Sequence, residues 1–155
     1  MTRLLAINCG STSTKVAYFD DETMVHKASL DVPLADLATM PKVLDQLEYR
    51  SAQVEAFLTE HAVPIAELDM VVARAGAIPH VPTGGAYEVN ELMVATLIHA
   101  PAAQHASSLS CLIGRELTAG TDIPVIIYDP TAVRCVDEIA MITGVPQIVN
   151  LPVFH

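Results

Sequence analysis

Hydrophobic and polar positions follow two different periods along this chain. Short apolar runs that end at turn residues predict strands at residues 3–8, 14–19, 24–30, 70–73 and 123–128. Apolar residues at helical spacing predict helices at residues 41–63, 90–99, 109–117 and 133–142. Three strands followed by alternating strands and helices predict an α/β fold, in which a mixed sheet carries helices on its faces.

The composition supports a packed domain. Of the 155 residues, 52% are hydrophobic and 17% are charged, a balance that excludes a disordered tail. A chain of this length is expected to form one domain and to bury about 68–70% of its unfolded surface. The formal net charge of -10 argues against nucleic acid and against an anionic membrane as general partners. A local cluster of donors can still bind an anion in such a protein.

Three further features favour a cytoplasmic protein. The chain shows no secretory signal peptide, because a predicted strand begins at Arg3. No apolar run approaches the roughly 20 residues of a membrane span. Cys9, Cys111 and Cys135 are an odd number of cysteines without metal-binding spacing, so reduced and mostly buried thiols are expected.

Residues 8–15, called the polar loop below, lie between two apolar runs. Their sequence Asn-Cys-Gly-Ser-Thr-Ser-Thr-Lys combines one glycine, four hydroxyl residues, an amide and a lysine. Backbone N–H groups, hydroxyls and a cation at one turn are what a phosphate or another small oxyanion needs. An ordinary polar hairpin connection is the alternative, since turns rich in glycine and serine are common. The loop lacks the glycine spacing of a Walker A motif and of a dinucleotide fingerprint.

Several candidate site residues lie where predicted strands end. Asn8, Arg74 and Asp129 follow apolar runs, and ligands of open α/β sheets gather beyond the carboxyl ends of strands. Each has a structural alternative: Asn8 can stabilise a turn, Arg74 can pair with a carboxylate, and Asp129 before Pro130 can form a turn. His105 can equally bond the backbone at a helix start.

Segments along the whole chain resemble the acetate and butyrate kinases, which belong to the sugar kinase, heat-shock and actin superfamily. The spacing Asn-x-Gly-Ser-x-Ser-x-Lys of the polar loop is similar to their first phosphate loop. Residues 45–50, with the sequence Asp-Gln-Leu-Glu-Tyr-Arg, resemble the Asp-Gln-Phe-x-Phe-Arg segment of the butyrate kinases. Further similar segments follow in the family's order: Arg74-Ala75-Gly76, Tyr87-Glu88-Val89-Asn90, Gln104-His105-Ala106-Ser107, Tyr128-Asp129-Pro130 and Val153-Phe154-His155.

This resemblance implies the N-terminal domain of a two-domain kinase. The implied fold is the actin-like ATPase (ribonuclease H-like) fold, an α/β fold with helices on both faces of a mixed sheet. The implied reaction is reversible phosphoryl transfer between ATP, bound with Mg²⁺, and butyrate or a similar short-chain carboxylate, giving ADP and an acyl phosphate. Such a transfer needs alignment and charge compensation, and an ionised carboxylate needs no strong base. The resemblance also implies a homo-oligomer.

The resemblance assigns roles to individual residues. Those implied to face the transferred phosphoryl group are Asn8, Ser11, Ser13 and Lys15. Arg74 is implied to lie by the carboxylate and the phosphoryl group of the substrate, and His105 to line the same pocket. Asp129 is implied to lie near the metal and the transferring phosphate, and His155 to steady that phosphate.

Two departures from the family pattern limit these implications. Ala75 stands where the family commonly has a glycine, and its methyl group can reshape the backbone of the acyl pocket. The chain contains no second glycine-rich phosphate loop and no adenosine pocket, so the nucleotide-binding domain is expected to be absent and the chain alone inactive. Two alternatives stay open: an acetate or propionate kinase, and a non-catalytic phosphate-binding or interaction fragment.

Overall fold

The structure is a computed structural model that describes residues 1–75, 78, 81, 83–99, 105–131, 133, 137–145 and 147–148. The strands of this part of the chain are β1 (Arg3–Cys9), β2 (Ser13–Asp20), β3 (Thr23–Asp31), β4 (Met70–Ala73), β5 (Ala86–Glu88) and β6 (Val125–Tyr128). They form one mixed sheet in the order β3-β2-β1-β4-β6-β5. Strands β1, β2 and β3 are antiparallel, β4 pairs in parallel with β1 and β6, and β5 pairs antiparallel with β6.

The helices of the described residues are α1 (Leu34–Leu37), α2 (Leu47–Glu60), α3 (Glu91–His99) and α4 (Ser108–Leu117). Short 3₁₀ helices cover Val43–Gln46, Ile65–Glu67 and Glu138–Met141. Asn90 Oδ1 accepts the N–H of Met93 at 2.9 Å, so it caps α3. None of the helices in these ranges is both long and apolar enough to cross a bilayer.

The structure corrects the predicted elements in three places. The helix predicted from residue 41 begins as the 3₁₀ helix Val43–Gln46 and becomes α-helical only at α2. Strand β5 is absent from the prediction, because three residues are too few to show alternation and its pairing with β6 is a long-range contact. The helix predicted at 133–142 is wrong over Glu138–Met141, which is a 3₁₀ helix; residues 134–136 lie outside the described residues. Ile139 and Ile142 are 77% and 74% exposed, so this segment lacks the packed apolar face that stabilises an α-helix.

One side of the sheet, called the packed face below, lies against α2 and α4. Leu5, Ile7 and Cys9 of β1 point to this side and are buried. Helix α4 contacts β1, β4 and β6, and α2 contacts α4 and β3. Gly114 allows the close approach of α4, because a Cβ at that position would lie 2.8 Å from Cγ1 of Val125. The core of the domain therefore lies between this face and the two helices.

The alternate residues of the same strands form the opposite side, called the open face below. In the β1–β2 register Ala6 pairs with Ala17 and Asn8 pairs with Lys15, so the members of each pair lie side by side. Both alanines are half-buried and the two polar residues are exposed. Within the described residues, the helices that pack extensively on the sheet lie on the packed face, whereas the resemblance implies helices on both faces.

Candidate functional site

The polar loop forms a tight connection between β1 and β2. Gly10 N–H donates to Ser13 O at 2.7 Å, and Thr12 O accepts the N–H of Val32, just beyond β3, at 2.8 Å. The loop is therefore held both to itself and to the third strand. Neither Ser11 N–H nor Thr12 N–H has an acceptor among the described residues, and both residues are exposed. Two adjacent backbone donors are thus available to a ligand.

The predicted phosphate-binding side chains of the polar loop also have unengaged polar groups. They are Asn8, Ser11, Ser13 and Lys15. Within the part of the chain that the structure describes, none of these side chains forms a hydrogen bond or an ion pair. The pairing of Asn8 with Lys15 sets an amide and an ammonium group next to each other on the open face. The loop thus concentrates backbone, hydroxyl, amide and ammonium donors at one turn.

A groove of about 760 Å³ crosses the open face beside this loop. Asn8 and Lys15 line it together with Lys27 of β3 and Arg74, which directly follows β4. No acidic residue occurs among the described residues of its lining, although the whole chain has a net charge of -10. Three cations without a carboxylate create a locally positive surface that favours an anionic ligand. The remaining lining is mainly apolar and includes Ala6, Ala17, Phe19, Met24, Val72 and Tyr128.

Arg74 is held at the edge of the sheet by its backbone. Its N–H donates to Ile7 O at 3.1 Å, and its carbonyl oxygen accepts a long contact of 3.8 Å from the thiol of Cys111. The side chain is exposed and forms no ion pair with any described carboxylate, so the structural alternative of an ion pair finds no support there. Ala75, where the family commonly has glycine, is buried in the hydrophobic core.

Asp129 lies at the same edge of the sheet, because β4 and β6 run in parallel. Its backbone has a φ of 42°, and its N–H donates to Gly85 O at 3.0 Å. Its Oδ1 accepts the N–H of Gly85 at 2.7 Å, and a Cβ at Gly84 would lie 2.8 Å from that oxygen. These contacts tie Asp129 to the residue before β5 and do not close a local turn, and Asp129 is exposed beyond the end of β6.

His105 makes the contacts of a helix start. Its Nδ1 accepts the N–H of Ser107 at 3.2 Å and lies 2.7 Å from Ser107 Oγ, which assigns the proton of a neutral ring to Nε2. His105 is not among the described residues that line the groove, so the structure does not bring it together with Lys15 and Arg74. Gly76, Gln104 and His155 lie outside the described residues.

Arg50 of α2 contacts the polar loop directly, although it is not among the site residues predicted from the sequence. The whole residue is 0% exposed. Its guanidinium donates to Ser11 O at 3.0 Å, Ser13 O at 3.1 Å and Thr14 Oγ1 at 3.0 Å. The sequence does contain a signal for it, which is a charged residue at a core position of a helical stripe. That stripe runs through Leu47, Arg50, Val54 and Phe57.

The thiols near the loop belong to the packed face. Cys9 N–H donates to Ser110 Oγ at 2.8 Å, which ties the end of β1 to α4. Burial raises the pKa of the Cys9 thiol. Burial, followed by the neighbouring Cys9, raises the pKa of Cys111 to about 12. Both thiols are therefore protonated at neutral pH, and the prediction that they are buried is confirmed. Cys135 lies outside the described residues.

A metal ion would find few protein ligands in this part of the molecule. The described residues contain no group of three or more His, Cys, Asp or Glu side chains that could hold one. Mg²⁺ is commonly bound by one or two carboxylates together with waters and substrate phosphates. The exposed carboxylate of Asp129 at the sheet edge fits a Mg²⁺ ion that arrives with a nucleotide.

Nearly all of this chain is homologous to proteins named as probable butyrate kinases. It is 37% identical over 153 residues to the probable butyrate kinase of Coprothermobacter proteolyticus. The aligned region covers 99% of this chain and 43% of that relative. It is 36% identical over 154 residues to the probable butyrate kinase of Bacteroides thetaiotaomicron, with 99% and 43% covered. The chain therefore spans less than half the length of these curated relatives. A scan against protein-family models finds no match.

The fold is similar to that of solved acetate kinases. The acetate kinase of Porphyromonas gingivalis has a TM-score of 0.64 at 15% identity, over 99% of this chain and 45% of that chain. The acetate kinase of Entamoeba histolytica has a TM-score of 0.57 at 13% identity, over 94% and 39%. At such low identity the likeness concerns the fold alone. It confirms the predicted α/β fold of the actin-like ATPase type, with a mixed sheet and helices, and the homologues confirm the resemblance to the butyrate kinases.

Proposed function

We propose that this chain is the N-terminal domain of a short-chain fatty acid kinase. The complete enzyme would transfer a phosphoryl group reversibly between ATP and butyrate, or a similar carboxylate. Homology to probable butyrate kinases supports this proposal. The observation that carries it is the groove of the open face, where three cations and no described acidic residue surround an apolar floor. The nucleotide-binding domain would be a second domain outside this chain.

The proposed chemistry needs positioning more than acid–base help. A carboxylate oxygen attacks the γ-phosphorus of ATP, a new O–P bond forms, and the bond to the bridging oxygen breaks as ADP leaves. The carboxylate is already ionised at neutral pH, so no base has to remove a proton. What the enzyme must supply is alignment of the reacting groups and compensation of the negative charge on the phosphoryl oxygens.

The residues of the polar loop and Arg74 suit that task. The free N–H groups of Ser11 and Thr12 would donate to phosphoryl oxygens, with help from the Ser13 hydroxyl and the Asn8 amide. Lys15 would add a point charge on the open face. The planar guanidinium of Arg74 would bind the substrate carboxylate or the phosphoryl group through two parallel hydrogen bonds, a geometry that lysine cannot reproduce. The half-buried Ala6, Ala17 and Val72 would contact a short alkyl chain.

The charge on the nucleotide phosphates would be neutralised in part by the Mg²⁺ that accompanies ATP. Asp129 would provide a carboxylate beside that ion. His105, with its Nε2 proton, would donate to the substrate or the phosphate after closure of the complete active site, and His155 would steady the transferring phosphate. The complete enzyme would act in the cytoplasm as a homo-oligomer.

A titration of the purified chain of residues 1–155 with butyryl phosphate tests this proposal. Backbone amide resonances recorded by NMR should shift at Ser11 and Thr12, and Lys15→Ala should weaken the response. Lys42→Ala, which removes an exposed lysine that does not line the groove, should leave it unchanged. Absence of shifts throughout the polar loop would contradict the proposed site. Comparison with acetyl phosphate distinguishes butyrate from acetate as the preferred carboxylate.

The two-domain part of the proposal has a separate assay. The chain of residues 1–155 supplies one wall of a site that must enclose ATP, metal and carboxylate together and exclude water. Incubation with ATP, Mg²⁺ and butyrate should therefore produce no measurable ADP. Robust ADP formation would show that the second domain is dispensable.

A further inference from the structure

Arg50 is a buried cation whose hydrogen bonds are fully satisfied by neutral groups. Its side chain has five N–H donors, and the structure shows five contacts. Nη1 donates to Ser13 O and Thr14 Oγ1, and Nη2 donates to Ser11 O at 3.0 Å. Nε and Nη2 both donate to Gln46 Oε1, at 3.1 and 2.9 Å. Burial of a charge is costly without such partners, so this arrangement fixes both the guanidinium and the groups that it contacts.

The guanidinium approaches the polar loop from the packed face. Thr14, which it contacts, is buried there, whereas the neighbouring Lys15 points to the open face. Ser11 O and Ser13 O accept hydrogen bonds from Arg50, so these loop carbonyl groups face the packed side of the sheet. Carbonyl oxygens, which would repel an anion, are bound by the cation. The N–H groups of Ser11 and Thr12 have no acceptor among the described residues.

Among the described residues, no ion pair neutralises the charge of Arg50. No described carboxylate lies within salt-bridge distance of it, and every acceptor that it contacts is uncharged. A buried positive charge is screened less by salt than an exposed one. An anion on the loop would therefore experience Arg50 through the backbone as well as Lys15 across the open face.

We propose that Arg50 is a positioning residue for phosphate binding, which holds the polar loop in its anion-binding shape and adds positive charge beneath it. Gln46 orients the guanidinium through its two contacts. Residues 45–50, the segment that resembles the butyrate kinases, contain both residues of this arrangement: Gln46 directly precedes α2, and Arg50 lies in its first turn. The inference rests on the proposed function, because the anion is taken to be the phosphoryl group of that reaction.

Arg50→Lys is the informative variant, because it keeps the charge and loses the planar fork. Titration of the residue 1–155 chain with inorganic phosphate, followed at the Ser11 and Thr12 amides, measures the dissociation constant. We expect Arg50→Lys to weaken phosphate binding about tenfold. Gln46→Met keeps the arginine and removes the acceptor that orients it, and we expect a loss of about threefold. Gln46→Met also keeps the test decisive if Arg50→Lys does not fold.

Ser51→Ala is the matched control on the same helix. Ser51 is buried and its Oγ donates to Glu116 at 2.5 Å, so its loss destabilises the packing of α2 on α4 without touching the loop. We expect Ser51→Ala to lower the melting temperature and to leave phosphate binding within about twofold of the unmodified chain. Unchanged binding in folded Arg50→Lys, or an equal loss in Ser51→Ala, would overturn the inference.

Hydrogen exchange of the Gly10 amide separates this inference from the proposed function. That amide donates to Ser13 O, which Arg50 also contacts. Arg50→Lys should accelerate its exchange about tenfold relative to the amides of β1. If the unmodified chain binds no phosphate and Gly10 is still deprotected by Arg50→Lys, the proposed function fails and the loop-holding role of Arg50 stands. If Gly10 exchange is unaltered by the substitution, the role assigned to Arg50 is wrong.

Discussion

The two faces of the sheet are built from the same strands and carry residues of different character. On the packed face, Cys9 and Thr14 are buried and bonded to Ser110 and Arg50. On the open face, Asn8 and Lys15 are exposed and make no side-chain hydrogen bond with a described residue. The two pairs are directly adjacent in the β1–β2 register.

This difference follows from the geometry of a strand, in which successive side chains point to opposite sides. Residues that hold the polar loop and residues proposed to bind its ligand can therefore be neighbours in the chain without competing for the same space. Stability and ligand binding should therefore be separable by substitutions one residue apart.

The largest effect is expected from truncation on the packed face of β6. Ile127 is 0% exposed, and its replacement by alanine should lower the free energy of unfolding by about 2–5 kcal/mol through lost burial and the cavity left behind. Ile126 has the same side chain on the other face and is only half-buried, so Ile126→Ala should cost less than half as much. Urea unfolding of both variants measures the difference. Equal losses would mean that the open face contributes to stability as much as the packed face.

Thr14→Val should produce the next largest effect. The substitution preserves the shape of a buried side chain and removes an acceptor of Arg50, leaving one guanidinium donor unsatisfied. We expect the free energy of unfolding to fall by about 1–3 kcal/mol, measured in the same urea experiments. A neutral result would indicate that Arg50 finds another acceptor and that the packed side of the loop is adaptable.

Lys15→Ala, one residue from Thr14, should weaken ligand binding and leave the free energy of unfolding nearly unchanged. Because Lys15 is exposed and has no ion-pair partner among the described residues, its removal should change stability by less than about 0.5 kcal/mol. Its loss should weaken phosphate binding about tenfold, as measured by the NMR titration, since a charge-assisted contact is removed. A large loss of stability with unchanged binding would reverse the roles assigned to the two faces.

Arg74→Lys is expected to have a smaller effect on the affinity of the isolated chain. The charge remains and only the fork is lost, so binding of butyryl phosphate should weaken about fivefold. Arg115→Lys is the matched control, because Arg115 pairs with Glu91 on the helical side of the molecule. Full retention of affinity in Arg74→Lys would remove the bidentate role from this arginine.

The smallest effect concerns the buried thiol of Cys111. Its pKa is raised from 9.0 to about 12 in the folded chain, so the unfolded thiol ionises first as the pH rises. The stability contributed by the neutral thiol is fully present below the unfolded pKa and is lost progressively above it, by less than about 1 kcal/mol at pH 9. The difference in unfolding free energy between the unmodified chain and Cys111→Ala should follow this course between pH 7 and pH 9. Rapid alkylation of Cys111 at pH 7 in the folded chain would contradict its burial.

The sequence determined the features that depend on neighbours in the chain. Alternation of apolar and polar residues is a property of a few consecutive positions, and it placed β1, β2, β3 and β4 and the end of β6 close to their observed bounds. The donors of the polar loop are likewise contiguous, so Asn8, Ser11, Ser13 and Lys15 could be singled out as a group. The segment of residues 45–50 could be recognised from the sequence, but the role of Arg50 within it could not.

Features that join distant segments of the chain became visible only in the folded structure. The pairing of β5 with β6, the covering of one face by α2 and α4, and the contact of Arg50 with a loop 36 to 39 residues away all depend on long-range packing. Because Arg50 is buried and hydrogen-bonded to Ser11 O and Ser13 O, its cation is held beneath the loop. The approach of Arg74 to Lys15 in one groove arises because β4 lies beside β1, a neighbourhood that no local pattern of residues contains.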